Sequence, residues 1–355
     1  MKIVVTGATG NVGTALLRAL VDDDQITEIV GIARRIPPTW APRKVHWVSA
    51  DVSRDPLEPH FAGADVVVHL AWLIQPARST VITERVNVEG SRRVFQAAGQ
   101  AGVGALVHAS SVAAYSRADP MEPVDEGWPT GGLASSYYSR QKVAAERLLD
   151  DTAARFPELR IARARPGLIF QRSAAAEIRR YFGGPLVPGW AARSALVPFV
   201  PDMPGLVGQV VHSDDVAELY RLLCVTPTAE GAYNVATSPP VDAAVLAHLL
   251  HARPRRLPRS VVRGLVKTTY LARLHPVSPG WLDLGLAAPT MLTDRARNEL
   301  GWHPVHEAGA VLTEFMDGLR SGAGGRTPPL DPHAGGPLRV REFLTGVGGP
   351  NPIDR

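Results

Sequence analysis

The opening sequence MKIVVTGATGNVG constrains the fold of this chain more than any other stretch. Its apolar residues 3–5 predict a buried parallel strand, and the apolar residues 15–17 predict a helix. Between them, Gly7, Gly10 and Gly13 allow a tight turn, a close approach of backbone to phosphate, and close packing of the helix on the sheet. Because a helix N-terminus attracts anions, this order predicts dinucleotide binding. The spacing is GxxGxxG rather than GxGxxG.

Short β-branched runs alternate with amphipathic stretches as far as about residue 170. We predict strands at 2–6, 28–33, 45–50, 65–70, 105–110 and 160–164. With helices between them, right-handed crossovers give an α/β fold, a doubly wound parallel sheet (Rossmann fold) with helices on both faces. Ligands of such sheets lie beyond the carboxyl ends of the strands, so the chemistry is expected just after each strand.

The chain is predicted to have three regions. Residues 1–170 form the nucleotide-binding core, and residues 171–320 form a smaller, mainly substrate-binding region. Strand-like runs within 209–236 are expected to return to the core. Glycine and proline are frequent in residues 321–355, which predicts an irregular C-terminal tail.

The composition is that of an ordinary soluble globular protein, with 45% hydrophobic and 20% charged residues. The net charge of +4 is spread along the chain among acidic residues, so no nucleic-acid partner is expected. The single cysteine, Cys224, cannot form an internal disulfide and lies in an apolar helical run, where a buried thiol is expected. With no secretory signal before the first strand, the chain fits the cytoplasm.

The segment 253–273, RPRRLPRSVVRGLVKTTYLAR, interleaves apolar residues with cations. Such a stretch can lie on an anionic membrane surface, or it can be a solvated basic helix of a lid region. The second interpretation is preferred here, so membrane association is not expected. In addition, no apolar run approaches the roughly 20 residues that span a bilayer.

The second predicted strand ends in EIVGIARR, with Ala33 where NAD-specific proteins usually carry an acidic residue. Arg34 and Arg35 follow, and a cation suits the 2′-phosphate of NADP. NADP(H) is therefore the preferred cofactor, with NAD(H) left open; two solvated arginines are the alternative interpretation. Asp51 follows the third strand and is placed to accept a hydrogen bond from adenine or to cap a helix.

A double serine and a tyrosine–lysine pair follow the fifth predicted strand. Tyr138 and Lys142 are spaced i and i+4, so a helix places them on one face. A neighbouring ammonium and an oxidised nicotinamide favour the phenolate, which suits general acid–base chemistry. Ser111 is expected to hold the substrate oxygen. Tyr137 cannot replace Tyr138, because its i+4 neighbour is Gln141.

Motifs in order along residues 1 to about 320 resemble an extended short-chain dehydrogenase/reductase, of the group also called NAD-dependent epimerase/dehydratase. They are TGATGNVG, the Ala33-Arg34-Arg35 strand end, Asp51, HLAW, Asn87 in NVEG, HASSVAAY, Tyr138 with Lys142, Arg165-Pro166-Gly167, VVHSDDVA, YNVA and DRARNELGW. The resemblance is specific for the fold and the cofactor class, and much less specific for the substrate.

The resemblance implies that Ser111, Tyr138 and Lys142 are the catalytic triad, and that Lys142 also binds the nicotinamide ribose. It implies a homodimer through helices at 80–98 and 137–149. With the positions above, it gives this cofactor site: Gly7, Thr9, Gly10, Asn11, Val12, Gly13, Arg34, Arg35, Asp51, Val52, Leu70, Ala71, Trp72, Asn87, Ser110, Tyr138, Lys142, Pro166, Gly167 and Leu168. The last three are expected to border the nicotinamide amide.

Departures from the family pattern narrow the reaction. Dehydratases of the family carry an Asp-Glu pair directly after the catalytic Ser or Thr, whereas Ser111 is followed by Val112 and Ala113. Sugar-nucleotide epimerases usually carry an arginine just before the VH-DD segment, near the place of Gln209. We therefore expect an NADP(H)-dependent oxidoreductase acting on a ketone or aldehyde, or on the alcohol. An epimerase that retains its cofactor and a non-catalytic nucleotide sensor are the alternatives.

The loop 181–204 is apolar and proline-rich, which suits an uncharged carbonyl compound as the small-molecule substrate. A hydrophobic hinge is the alternative interpretation of this loop, and Arg172, Arg179 and Arg180 keep a small anionic substrate open. Two other patterns give no support for a site. His248 and His251 are placed i and i+3 on an apolar helix without a HExxH arrangement, so no metal is expected. Ser110 and Ser111 do not lie in a GxSxG motif, so a serine hydrolase site is not supported.

Overall fold

The computed structural model describes residues 1–119, 121–183 and 198–334. Its strands are β1 (Lys2–Thr6), β2 (Glu28–Ala33), β3 (Val45–Ser49), β4 (Val66–His69), β5 (Ala105–Ala109), β6 (Arg160–Pro166), β7 (Leu168–Phe170), β8 (Phe199–Asp202), β9 (Val207–Gly208), β10 (Val210–His212), β11 (Gly231–Val235), β12 (Val241–Asp242) and β13 (Arg253–Arg256). Seven of them pair in parallel into one sheet, in the order β11-β6-β5-β4-β1-β2-β3. The order reverses between β1 and β4, which is where such sheets bind ligands.

The helices flank this sheet. They are α1 (Asn11–Val21), α2 (Glu58–Phe61), α3 (Val81–Glu84), α4 (Gly90–Gln100), α5 (Tyr137–Arg155), α6 (Ala175–Ile178), α7 (Ser213–Val225), α8 (Ala243–Leu249), α9 (Arg259–Leu271), α10 (Pro279–Gly285), α11 (Asp294–Leu300) and α12 (Ala308–Ser321). Short 3-10 turns lie at Val112–Ala114 and Arg172–Ala174, and π-helical turns lie at Arg85–Glu89 and Arg179–Gly183.

Two apolar layers cover the two faces of the sheet. On one face, Leu16 and Leu17 of α1 pack in the same core as Leu219 and Leu223 of α7. On the other face, α4 and α5 supply a second core that includes Phe95, Val94 and Leu149. The predicted Rossmann fold with helices on both faces is therefore confirmed. Continuous apolar strands such as β1 result from this double coverage, because neither strand face meets water.

The predicted return of the chain to the core is visible in two pairings. β11 joins the central sheet beside β6, and β10 pairs in parallel with β7 directly after β6. The other short strands form two-stranded pairs, β12 with β9 and β13 with β8. The three-region division itself stays a prediction.

The structure can be compared with several local predictions from the sequence. Cys224 is 2% exposed in α7, and burial raises the pKa of its thiol to about 12. The predicted placement of His248 and His251 on one helix is wrong, because α8 ends at Leu249 and His251 has a φ of 50°. The helix expected over 80–98 is interrupted by the π-helical turn. Among the described residues, no helix is long and apolar enough to cross a membrane.

Candidate active site

The glycine turn connects β1 to α1 and shows three different reasons for glycine. Gly7 has a φ of 72°, and a Cβ there would lie 2.6 Å from the Ala71 nitrogen. A Cβ on Gly13 would lie 2.5 Å from the Gly7 oxygen. By contrast, a Cβ on Gly10 would approach nothing closer than 3.5 Å within the described chain. Gly7 and Gly13 are therefore needed by the fold, whereas Gly10 keeps open space at the edge of a cleft.

The N-terminus of α1 opens toward the same cleft. Gly10 is its N-cap residue, no side chain caps the helix, and its first turn contains no acidic residue. The free amides and the helix dipole make this end attractive to a phosphate. Asn11 lies here as predicted, but its side-chain oxygen accepts from Gln171 at 2.6 Å and from Ser213 at 2.8 Å. Its amide group therefore ties α1 to the C-terminal region.

The cleft lies over the carboxyl ends of β1, β2 and β4 and contains ten of the predicted cofactor residues. These are Gly7, Thr9, Gly10, Arg34, Arg35, Asp51, Val52, Leu70, Ala71 and Trp72. Residues outside the predicted cofactor set also line it: Ile32, Ala33, Ala50, Leu73, Ile74, Gln75, Val86, Glu177, Tyr181 and Pro329. The last three come from the region after residue 170, and no local motif marks Glu177 or Pro329 as part of a cofactor site.

Arg34 and Arg35 lie at the end of β2, and both side chains are exposed. Within the described ranges, neither guanidinium forms a salt bridge. Burial and the neighbouring Arg34 lower the pKa of Arg35, and Arg180 contributes further repulsion. This end of the cleft therefore carries arginines that form no salt bridge among the described residues, although the nearby Asp51 carboxylate attracts Arg34, and a bound anion would relieve the repulsion between them.

Asp51 lines the cleft at the end of β3. Its Oδ1 accepts hydrogen bonds from the Ser53 backbone at 2.9 Å and from the Ser53 hydroxyl at 2.7 Å. Burial would raise the pKa of Asp51, but these hydrogen bonds and the cations Arg34 and Arg54 bring it below its ordinary value. Asp51 therefore caps a turn and not a helix, since α2 begins only at Glu58, and the contact with adenine stays a prediction.

Tyr138 lies at the start of α5, whose N-cap is Ser136. A hydrogen bond joins it to Ser111, which itself caps the 3-10 turn by accepting from the Ala113 nitrogen at 3.2 Å. The two residues therefore come together as the sequence predicts. Tyr137 points elsewhere: its hydroxyl donates to the Gln75 carbonyl at 2.9 Å and accepts from the Ala77 nitrogen at 3.1 Å.

The electrostatics of Tyr138 differ from the expectation. Burial raises its pKa to about 12, and the hydrogen bond from Ser111 only partly offsets this. The Lys142 ammonium lies 5.8 Å from the Tyr138 ring centroid and does not contribute to the shift. The expected effect of this ammonium on the pKa of Tyr138 is therefore absent, and the effect of an oxidised nicotinamide stays a prediction. At neutral pH, Tyr138 carries its proton.

Lys142 explains this difference, because its ammonium has other partners. It donates to the Ala109 carbonyl at 2.7 Å and lies 3.4 Å from the centroid of the Trp72 ring. The side chain is buried, and burial lowers the pKa of Lys142 well below its ordinary value. Trp72 thus separates the cleft from Lys142, while its own indole Nε1 is buried and lacks an acceptor in the described part of the chain.

Several predicted cofactor residues support the cleft rather than line it. The Asn87 side chain is bonded to both the nitrogen and the oxygen of Leu73, at 2.7 and 3.0 Å, and so fixes the loop after β4. Ser110 donates to the Glu146 carboxylate. A Cβ on Gly167 would lie 2.5 Å from the Gln209 oxygen, so this glycine allows β7 to approach the strand beside it. Val12, Gly13, Pro166 and Leu168 are likewise not among the lining residues.

Residues 322–334, which we term the C-terminal strap, cross the glycine turn. Thr327 is 1% exposed, and its hydroxyl donates to the Thr9 carbonyl at 2.7 Å. Arg180 donates to the Pro329 carbonyl at 2.6 Å, and Leu330 is buried. The expected tail therefore has a packed first part, whereas residues 335–355 lie outside the described residues.

We predict that Thr327→Val lowers the free energy of unfolding by about 1 kcal/mol. The substitution keeps the side-chain shape but leaves the Thr9 carbonyl without its donor. Urea unfolding measures the change, with Thr313→Val as control because Thr313 is exposed and its hydroxyl bonds only within α12. Equal stabilities of the two variants would show that the strap is not seated on the turn.

Comparison with known proteins agrees with this geometry. The NAD dependent epimerase/dehydratase family matches residues 3–236. An uncharacterized protein of Mycobacterium tuberculosis is 28% identical over 333 residues, covering 92% of this chain. The chain spans only 31% of the length of that relative. The L-arabinose 1-dehydrogenase (NAD(P)(+)) of Haloferax volcanii is 29% identical over 249 residues, covering 64% of this chain and 92% of the relative.

Among solved structures, MoeE5 in complex with UDP-glucose and NAD superposes with a TM-score of 0.67. Its sequence is 23% identical, and the match covers 90% of this chain and 99% of that chain. At this identity the likeness establishes the shared fold.

Proposed function

The chain belongs to the NAD dependent epimerase/dehydratase family, and we propose that it is an NADP(H)-dependent oxidoreductase that interconverts a ketone or aldehyde with its alcohol. One observation carries the proposal. Tyr138, hydrogen-bonded to Ser111, packs against Trp72, which lines the cleft, and Arg34 and Arg35 line the same cleft without forming a salt bridge among the described residues. The site thus combines a proton donor beside the cleft with an anion-binding helix terminus and a cationic subsite within it.

The residues present fit a dinucleotide. Open space at Gly10, the uncapped N-terminus of α1 and the buried Trp72 Nε1 without an acceptor all suit a ligand rich in oxygen atoms. Arg34 and Arg35 would hold its 2′-phosphate. When bound, the reduced nicotinamide supplies the hydride for carbonyl reduction.

Tyr138 handles the proton of the reaction. Because its pKa is raised to about 12, the hydroxyl is protonated at neutral pH and can donate to a developing alkoxide. Ser111 holds the oxygen beside it. In the oxidative direction Tyr138 must first lose its proton, so its raised pKa favours the reductive direction.

The surroundings of Tyr138 favour an apolar carbonyl substrate. The Trp281 ring lies 5.1 Å from the Tyr138 ring at a tilt of 32°, and the Phe182 ring meets Trp281 edge-on at 5.1 Å. A wall of this kind binds by apolar contact rather than by ion pairing. Residues 184–197 of the predicted apolar loop lie outside the described residues.

Gln209 argues against a diphosphate-linked substrate. Its amide donates to the Met291 carbonyl at 3.1 Å and accepts from the Met291 nitrogen at 2.6 Å. The side chain is 7% exposed, so both of its polar atoms are used inside the protein. The place expected for an anchoring arginine therefore holds a neutral, engaged residue.

The alternative is an epimerase that retains its cofactor. It is favoured by the likeness to MoeE5, a protein solved with UDP-glucose and NAD, and the family includes epimerases by its description. The two functions differ in ligand and in net redox change, so ligand binding separates them.

A thermal-shift titration with NADPH, NADH and UDP tests the proposal. We expect NADPH to raise the melting temperature most, because stabilisation follows the affinity for the folded state. UDP should leave it unchanged if Gln209 provides no diphosphate anchor. A clear rise with UDP would favour the epimerase, whereas no rise with any nucleotide would refute both functions.

A further inference from the structure

The segment 253–274 forms a basic, partly apolar surface beside the candidate site. It contains β13, whose residues are all exposed, and α9, none of whose residues is fully buried. Val261 and Leu265 lie one turn apart on the outer face of α9, and their side chains are 58% and 64% exposed. Leu271 and Leu274 continue the exposed apolar residues, at 64% and 52%. Val261, Leu265 and Leu271 lie on α9 and Leu274 just beyond its end, and a contiguous group of exposed aliphatic side chains marks an interaction surface.

The inner face of α9 is anchored, which fixes the direction of the outer face. Arg263 forms a bidentate ion pair with the Asp283 carboxylate of α10, at 2.9 and 3.0 Å. Arg78 donates to the Tyr270 carbonyl at 2.7 Å and lies over the Tyr270 ring at 4.3 Å. These contacts hold α9 with Val261 and Leu265 pointing away from the protein.

The charge around this face has one sign. Residues 253–274 contain seven Arg and Lys residues and no Asp or Glu. Asp283 neutralises Arg259 and Arg263 on the inner side. Among the described residues, no salt bridge is formed by Arg253, Arg255, Lys267 or Arg273. The Arg256 side chain is 97% exposed, and its ion pair with the Asp202 carboxylate is loose, at 3.9 Å. The outer apolar residues are therefore flanked by cations.

We propose that the outer face of α9, with the flanking cations of 253–273, docks on an anionic lipid surface. Aliphatic side chains flanked by Arg and Lys match the boundary between acyl chains and anionic headgroups. A second copy of this chain is disfavoured as the occupant, because a symmetric contact would bring like charges together. The sequence left a solvated helix as the preferred interpretation, but a solvated helix gives no reason for the exposed Val261 and Leu265.

The position of this face links it to the candidate site without depending on the proposed reaction. Asp283, which anchors Arg263, belongs to the same short helix as Trp281, the residue that packs on Tyr138. A Cβ on Gly280 would lie 2.2 Å from the Ser135 oxygen. α10 therefore packs directly against the backbone just before α5. A lipid surface touching α9 would therefore lie next to the apolar wall around Tyr138.

Vesicle co-sedimentation of the full chain tests the docking. We expect binding to vesicles of phosphatidylglycerol and phosphatidylcholine at low salt, weaker binding at high salt, and little binding to phosphatidylcholine alone. Val261→Ser combined with Leu265→Ser should lower the partition coefficient about tenfold, since two aliphatic contacts are lost. Val305→Ser is the matched control, because Val305 is 80% exposed and lies outside the segment.

Three results would overturn the docking. They are no binding of the unmodified chain to anionic vesicles, equal binding by the double variant, and a dimer in sedimentation equilibrium that the double variant abolishes. The last result would identify a second copy as the occupant. The NADPH thermal shift of each variant checks the fold and the cleft separately, so failure of the docking and failure of the proposed oxidoreductase are distinguishable.

Discussion

Tyr138→Phe is expected to lower kcat for carbonyl reduction about 10³-fold, the range of a lost general acid. Phenylalanine keeps the ring that packs between Trp72 and Trp281 and removes only the hydroxyl. That hydroxyl holds its proton at neutral pH and is the proposed donor to the alkoxide, so its removal takes away the general acid. The NADPH thermal shift should persist, since Tyr138 does not line the nucleotide end of the cleft.

The neighbouring tyrosine provides a matched control. Tyr137→Phe also removes one hydroxyl from α5, but that hydroxyl bonds the backbone of Gln75 and Ala77. This variant should lose about 1 kcal/mol of stability and keep turnover within a few fold. Steady-state reduction of an apolar ketone with NADPH compares the two. Near-normal turnover by Tyr138→Phe, or a larger loss in Tyr137→Phe, would remove Tyr138 from the proposed chemistry.

Ser111 and Ser110 extend the same reasoning. Both follow β5 directly, yet Ser111 bonds Tyr138 whereas Ser110 bonds the buried Glu146 carboxylate. Glu146 in turn holds Arg165 through both carboxylate oxygens, at 2.8 and 2.6 Å. One serine therefore faces the proposed chemistry and the other stabilises the strand ends.

The strands and the glycine turn could be predicted because their causes are local. Each predicted strand is a short run that contains β-branched residues, and the observed ends of β1 and β2 coincide with the prediction. The juxtaposition of Tyr138 and Lys142 with Ser111 follows from one helix and one strand end. Short-range patterns of this kind are contained in a few neighbouring residues.

The rest of the cleft could not be predicted because its causes are distant. Pro329 and Thr327 reach the glycine turn across more than half of the chain, and their segment has the composition of an irregular tail. The high pKa of Tyr138 results from burial, while the Lys142 ammonium, which the spacing places near it, donates to the Ala109 carbonyl and lies over the Trp72 ring. Sequence spacing gives the proximity of two side chains but not the partners that compete for one of them.

Combined Arg34→Ala and Arg35→Ala substitution is expected to weaken NADPH binding about 100-fold and NADH binding by less than about threefold. Each guanidinium can form charge-assisted hydrogen bonds to a 2′-phosphate, worth about 1.5–3 kcal/mol before screening. Both side chains are exposed, so solvent and salt reduce this value. Ala33 supplies no carboxylate to bond the ribose of NADH, which leaves that ligand nearly indifferent to the change.

Fluorescence titration with both nucleotides at two salt concentrations measures this difference. Arg43→Ala is the control, because Arg43 is exposed but does not line the cleft. In the unmodified chain, NADPH affinity should fall more steeply with salt than NADH affinity, since only NADPH carries the additional phosphate. Equal weakening of both nucleotides by the double variant would mean that the arginines support the cleft without reading the phosphate. Unchanged NADPH binding would leave them as solvated residues at a strand end and would favour NAD(H) as the cofactor.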